Sequence, residues 1–176
     1  METSPRPVDA FKALGHEVRL RIFYAVAAAE EATATMLGEE LGMSPAATSY
    51  HLGKLGKFGL LEEVEDQSRD GRERWWRVAS GGLEFPSDSI EAEQLQHAVL
   101  RHHRQRLAAF LAARDSSPEK HRNDEVAFSS DMIIKLSKDR AARFQREVAD
   151  LLKRYSLEGE DGDQVTFVML QGLPYE

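Results

Sequence analysis

From Asp9 onward, apolar residues recur at spacings of three and four. Phe11, Leu14, Val18, Ile22 and Val26 line one side of a helical path. Gly15 breaks that path into a short helix and a longer one. After a connector over 27–34, Leu37 and Leu41 supply the core contacts of the next helix. Gly42 ends it, because glycine takes the left-handed conformation without strain. Ser44-Pro45 opens another helix: the serine hydroxyl accepts from unpaired N–H groups, and proline fits a first turn where no N–H is needed. Gly59 closes that helix. Two strand-like runs follow, with Asp70-Gly71 as the turn signal between them.

Ser80-Gly81-Gly82 and Pro86-Ser87 mark a boundary, so the chain divides into 1–80 and 81–176. Beyond it, Asp88 or Ser89 opens a long helix to about Arg114. A polar loop covers 115–124. Residues 131–136 (DMIIKL) read as a strand, and Ser137 caps a helix to Tyr155 with the stripe Ala141, Phe144, Val148, Leu151, Leu152 and Tyr155. Residues 164–170 (QVTFVML) are apolar on both faces, which predicts a buried strand. The expected class is α+β, mainly α: an N-terminal winged helix-turn-helix, a long helix and a small α-β-α-β C-terminal part.

The helix opened by Ser44 has two unlike sides. Thr48, Leu52 and Leu55 fall on one, to pack on the preceding helices. Ala46, Tyr50, Gly53 and Lys57 fall on the other, with Ser49 and Lys54 flanking. A capped turn, a small polar helix and an arginine-tipped hairpin in that order form the layout that places a helix in the DNA major groove. Ser44, Pro45 and Ala46 start the helix. Ser49 and Tyr50 offer hydrogen bonds to bases or phosphate, and Ala46 suits a thymine methyl. Lys54 and Lys57 fit phosphate, as do Arg69, Arg72 and Arg74 in the hairpin. His51 reads as a packing residue. Trp75 and Trp76 point to opposite sides of their strand, with Trp76 and Val78 toward the core.

Charge qualifies this picture. The 176-residue chain carries a net charge of −7, and residues 44–78 hold six Lys/Arg against six Asp/Glu. Phosphate neutralisation dominates DNA affinity, so a small basic footprint on an acidic body predicts modest non-specific binding and two copies acting together. There is no cysteine, which excludes disulfides, thiolate metal sites and cysteine nucleophiles. No apolar run approaches the ~20 residues of a membrane span, and the start lacks a signal-peptide core. A cytoplasmic protein without membrane partners is expected. No glycine-rich phosphate loop or nucleophile–base set stands out, so an enzyme is not expected.

The segments FKALGHEVRLRIF, LGEELGMSPAATSYHLGKLGKFGLLEE and GRERWWRV together resemble the ArsR-like winged-helix regulators of bacteria, over about 11–79. That resemblance implies a cytoplasmic homodimer that binds double-stranded palindromic operators and represses until a small-molecule effector is sensed. It places Ser44, Pro45, Ala46, Ser49 and Tyr50 at the DNA-reading positions. Glu17 stands where such proteins usually have proline, and Thr35, Met36 and Leu37 occupy the region of their Cys-x-Cys element.

The long helix carries apolar residues on two sides: Leu95, Val99 and Phe110 on one, and Leu100, Leu107 and Leu111 on another. Two faces imply two partners, the helix's own domain and either a second subunit, the favoured expectation, or the chain's own C-terminal part folded over the second face. Leu95, Val99, His102, Leu107 and Phe110 are the expected dimer contacts. Glu93 and His97, four apart, are spaced to share a metal, but His102 and His103 do not complete a set, so neither a metal nor a cofactor is expected. The alternative reading is a winged-helix protein-interaction module, which the acidic balance and Glu39 and Glu40 favour.

Overall fold

The computed structural model describes residues 7–64, 73–79, 90–117, 133–157 and 166–170. The chain forms two compact units, Met1–Asp115 and Ser116–Glu176. In the first, α1 (Pro7–Leu14) and α2 (Glu17–Ala29) meet at the break expected at Gly15. Arg19 secures that corner, its Nε donating to the Ala13 carbonyl at 2.5 Å and its Nη2 to that of Lys12 at 3.2 Å. The connector contains a short strand, β1 (Glu31–Thr33), which three residues could not announce by periodicity.

The helices α3 (Ala34–Leu41) and α4 (Pro45–Lys57) follow, each with its own cap. The Thr33 hydroxyl accepts from the Met36 N–H and the Ser44 hydroxyl from the Ala47 N–H, both at 3.3 Å. Gly42 takes φ +68°, as its place after α3 requires. The turn is tight because Gly38 lacks a side chain. A Cβ there would lie 2.8 Å from the Met43 carbonyl oxygen, and the Met43 N–H donates to the Gly38 carbonyl at 2.8 Å.

Three strands form one antiparallel sheet in the order β1-β3-β2, with β2 at Leu61–Glu63 and β3 at Trp75–Val78. Trp76 stands opposite Ala32 on one side and Glu63 on the other; Leu61 stands opposite Val78. Ala32, Leu61 and Trp76 are buried, as the alternation expected of the two tryptophans requires. Gly56 makes room for Trp76, since a Cβ on α4 at that position would lie 2.6 Å from the indole ring.

The first unit's core joins Phe11, Ile22, Val26, Leu37, Leu52, Leu55 and Trp76. It also takes in Leu95 and Ala98 of α5 (Ile90–Ser116), with Val99 packed against it. The first compact unit therefore runs past the boundary expected at 80/81, because the start of α5 completes its apolar core.

The second unit contains α6 (Lys138–Leu157). The Ser137 carbonyl accepts from the Ala141 N–H at 2.8 Å and its hydroxyl from the Arg140 N–H at 3.4 Å, the cap expected there. On the expected apolar stripe, Ala141 and Val148 are half-buried, while Phe144, Leu151, Leu152 and Tyr155 are exposed. The two strands expected here do not form among the described residues. Residues 133–136 and 166–170 enter no ladder, and Ile133, Val168 and Leu170 are exposed rather than buried. Residues 131–132 and 164–165 lie outside the described segments. Two lone strands and one helix offer too little apolar surface to cover both faces of a ladder.

Gly56→Ala forces the new methyl against the Trp76 ring, and overpacking of this kind costs about 1–3 kcal/mol. A chemical denaturation midpoint lowered to that extent is expected; an unchanged midpoint would show that the α4–β3 contact tolerates a side chain.

Candidate functional site

Burial divides α4 lengthwise. Thr48, Leu52 and Leu55 have no exposed surface. Thr48 donates its hydroxyl proton to the Ser44 carbonyl at 3.1 Å, which satisfies the one polar group on that side. Opposite them, Ala46, Ser49, Tyr50, Gly53 and Lys57 are exposed, and so are Ser44 and Pro45 at the start. Tyr50 keeps 59% of its surface. Lys54 is half-buried, with its ammonium 5.5 Å from the centre of the Tyr50 ring. Cation–π attraction at that range restrains both side chains.

His51 is half-buried beside this face. Its ring meets Tyr50 edge-on at 5.3 Å and tilts against His16 at 5.5 Å. Its Nδ1 is buried with no hydrogen-bond partner among the described residues. Desolvation, with the nearby His16 and Arg19, pushes its pKa below the ordinary histidine value. The packing role expected from sequence fits this placement.

The hairpin differs from its expected electrostatics. Arg74 Nη1 lies 3.1 Å from Glu63 Oε1, and Arg77 Nε lies 2.7 Å from Glu62 Oε1. Arg74, expected as a phosphate ligand, is thus held by a carboxylate on the neighbouring strand. The observed register sets Glu62 opposite Arg77, two residues away from the pairing that a two-residue turn at Asp70-Gly71 implies, so the turn signal alone did not announce these ion pairs. Arg69 and Arg72 lie outside the described residues. An open groove of about 520 Å³ runs between α4 and the strands, with Gly53, Lys57, Glu63, Arg74 and Trp76 along its walls.

On α5, the expected dimer contacts divide by depth. Leu95 is 1% exposed against its own core, and Val99 packs on the same core. The His102 ring stacks on Tyr24 of the same chain, with centroids 4.6 Å apart and planes 7° from parallel. Leu95, Val99 and His102 thus each have contacts within the chain: the helix meets its own domain first. Leu107 and Phe110, with Leu111, are exposed. Glu93 and His97 form an exposed pair at 3.9 Å, and no group of three metal-ligating side chains occurs among the described residues. The cleft lined by Glu17, Leu20, Ala98, Arg101, His102 and Gln105 encloses about 10 Å³, the size of a single water. Among the described residues no helix is long and apolar enough to cross a membrane.

Burial lowers the His102 pKa, and the neighbouring cations Arg106, His103 and Arg21 lower it further. The unfolded chain therefore takes up this proton at a higher pH than the folded one. Stability is full above the ordinary histidine pKa of about 6.5 and falls as pH drops through it. The thermal midpoint should decline on acidification, and His102→Phe should flatten that decline; an unaltered slope would remove His102 from the account.

Residues 14–64 match a family described as a helix-turn-helix domain. No curated protein matches the chain. Among solved structures, the transcriptional regulator HlyU from Vibrio vulnificus is similar at 23% identity and a TM-score of 0.37, covering 55% of this chain and 83% of its own. Wild-type apo MarR from E. coli is similar at 16% identity and a TM-score of 0.38, covering 82% and 85%. A MarR C80S mutant complexed with operator DNA is similar at 17% identity and a TM-score of 0.35, covering 77% and 74%. At such distances it is the domain match over 14–64 and the geometry of α3, α4 and the strands that bear on function.

Proposed function

We propose that this winged helix-turn-helix chain is a sequence-specific DNA-binding transcriptional regulator. In this reading it is a homodimeric repressor of a palindromic operator, with α4 in the major groove and residues 67–74 on the backbone or in the minor groove. The observation that carries the reading is the division of α4. A helix anchored along one side by three fully buried residues presents Ala46, Ser49, Tyr50 and Lys57 outward on a rigid support. Small side chains at the start of such a helix let its backbone approach base edges, while hydroxyl and ammonium groups supply hydrogen bonds. The exposed Leu107, Phe110 and Leu111 of α5 support a second copy as partner. Two copies bring two reading helices to half-sites about one helical turn apart.

Selection of genomic fragments by the purified chain tests the reading. A recovered palindrome is the expected result. Fragments with no shared sequence would favour a protein-interaction module, to which the exposed Glu39 and Glu40 on α3 are suited. On the selected site, Ser49→Ala with Tyr50→Ala should cost about 1–3 kcal/mol and relax the sequence preference. Equal losses on every sequence would assign those side chains to the backbone instead.

Glu63→Gln should act in the opposite direction. With its carboxylate partner removed, Arg74 is available to phosphate, so binding tightens on all sequences and the salt dependence steepens by about one unit of slope. Weaker binding in gel-shift titrations would show that Glu63 positions Arg74 rather than competing for it.

A further inference from the structure

We propose that His16 is a positioning residue for the reading helix: through the His51 ring it sets the direction of Tyr50. The proposal rests on the DNA-binding reading above and names a residue outside α4 that governs a side chain on it.

Three rings form a row from the start of α2 to the outward side of α4. His16 tilts against His51 with centroids 5.5 Å apart, and His51 meets Tyr50 edge-on at 5.3 Å. Adjacent residues of a helix do not ordinarily face each other, so the Tyr50–His51 contact lasts only while both rings lean together. No hydrogen bond at Nδ1 holds His51 in that pose, because this atom is buried without a partner among the described residues. Burial, with His16 and Arg19 close by, also lowers its pKa and favours the neutral ring. Packing is therefore what orients His51, and the ring that meets it from outside α4 is His16.

His16 occupies a post where its residue type is out of place. It is the N-cap of α2, and its side chain makes no capping hydrogen bond. A serine or asparagine there would accept from a first-turn N–H and hold α2 better. The position is exposed, so the core does not ask for a ring either. The backbone that carries it is pinned, since Arg19 donates to the carbonyls of Ala13 and Lys12 across the same corner. A ring on a pinned corner gives His51 a fixed stop, and His51 passes that stop to Tyr50. On the same helix Lys54 adds its ammonium 5.5 Å from the Tyr50 ring centre. A side chain that discriminates base edges works only as well as its neighbours hold it.

The test uses the full chain with His16→Ser and His16→Phe. It reads the thermal midpoint, the ring NMR signal of Tyr50 in the free chain (assigned with Tyr50→Phe), and binding by fluorescence anisotropy. The two probes are the duplex recovered by genomic selection and a random-sequence duplex of equal length. His16→Ser is expected to keep or raise the midpoint and to move the Tyr50 signal. It should also lower the preference for the selected duplex by roughly threefold to tenfold. His16→Phe keeps a ring against His51, so it is expected to retain both the preference and the Tyr50 signal. A merely structural His16 would lower the midpoint and leave the preference alone. His16→Ser with an unmoved Tyr50 signal and an unaltered preference would overturn the proposal while leaving the DNA-binding reading in place. Equal losses on both duplexes would overturn it too, by assigning His16 to phosphate directly. An unaltered chain that prefers no duplex would overturn that reading and the positioning role with it.

Discussion

The anchoring of α4 by Thr48, Leu52 and Leu55 is the constraint on which the rest of the structure depends. These three side chains spend one side of the helix on the core, and they thereby fix which residues look outward. Gly38 lets α3 approach from one end, and Gly56 lets Trp76 close against α4 at the other. A reading helix has to be rigid, because a side chain that must discriminate base edges gains nothing from a support that yields. Close packing supplies that rigidity, since interiors at crystal-like density have few alternative arrangements.

Electrostatics sets the terms under which such a helix meets a polyanion. The chain is acidic overall, and Arg74 and Arg77, the arginines described in the hairpin, are engaged by Glu63 and Glu62. Exposed ion pairs of this kind contribute little to stability, so their larger consequence lies in what the arginines can do next. Phosphate must exchange with a carboxylate before it gains the guanidinium. In the proposed reading, a second copy with the same surface would offset weak attraction per copy through avidity across two half-sites.

The first half of the fold was legible because its signals are local and strong. The Ser44-Pro45 cap, the left-handed Gly42, the break at Gly15 and the inward Trp76 each follow from a rule about one or two residues. The strand at Glu31–Thr33 was not legible, because it exists through its pairing with Arg77, Trp76 and Trp75, far along the chain. The division of α5 was legible only in part. Two apolar sides announce two contacts, but not that Leu95, Val99 and His102 are taken by the chain's own core and by Tyr24. In the second unit, apolar runs at 131–136 and 164–170 resemble strands by composition. Strand formation needs a partner edge, which periodicity does not report. The surface side of α4 was readable residue by residue, whereas the compensation of Arg74 by Glu63 needed the register.

Amide chemical-shift mapping during titration with a selected duplex tests the central claim most directly. The account predicts the largest changes at residues 44–50, 53 and 57 and along the hairpin, with Leu52 and Leu55 little altered. Changes centred on the α3 carboxylates Glu39 and Glu40 or on α5, with the outward side of α4 silent, would contradict it.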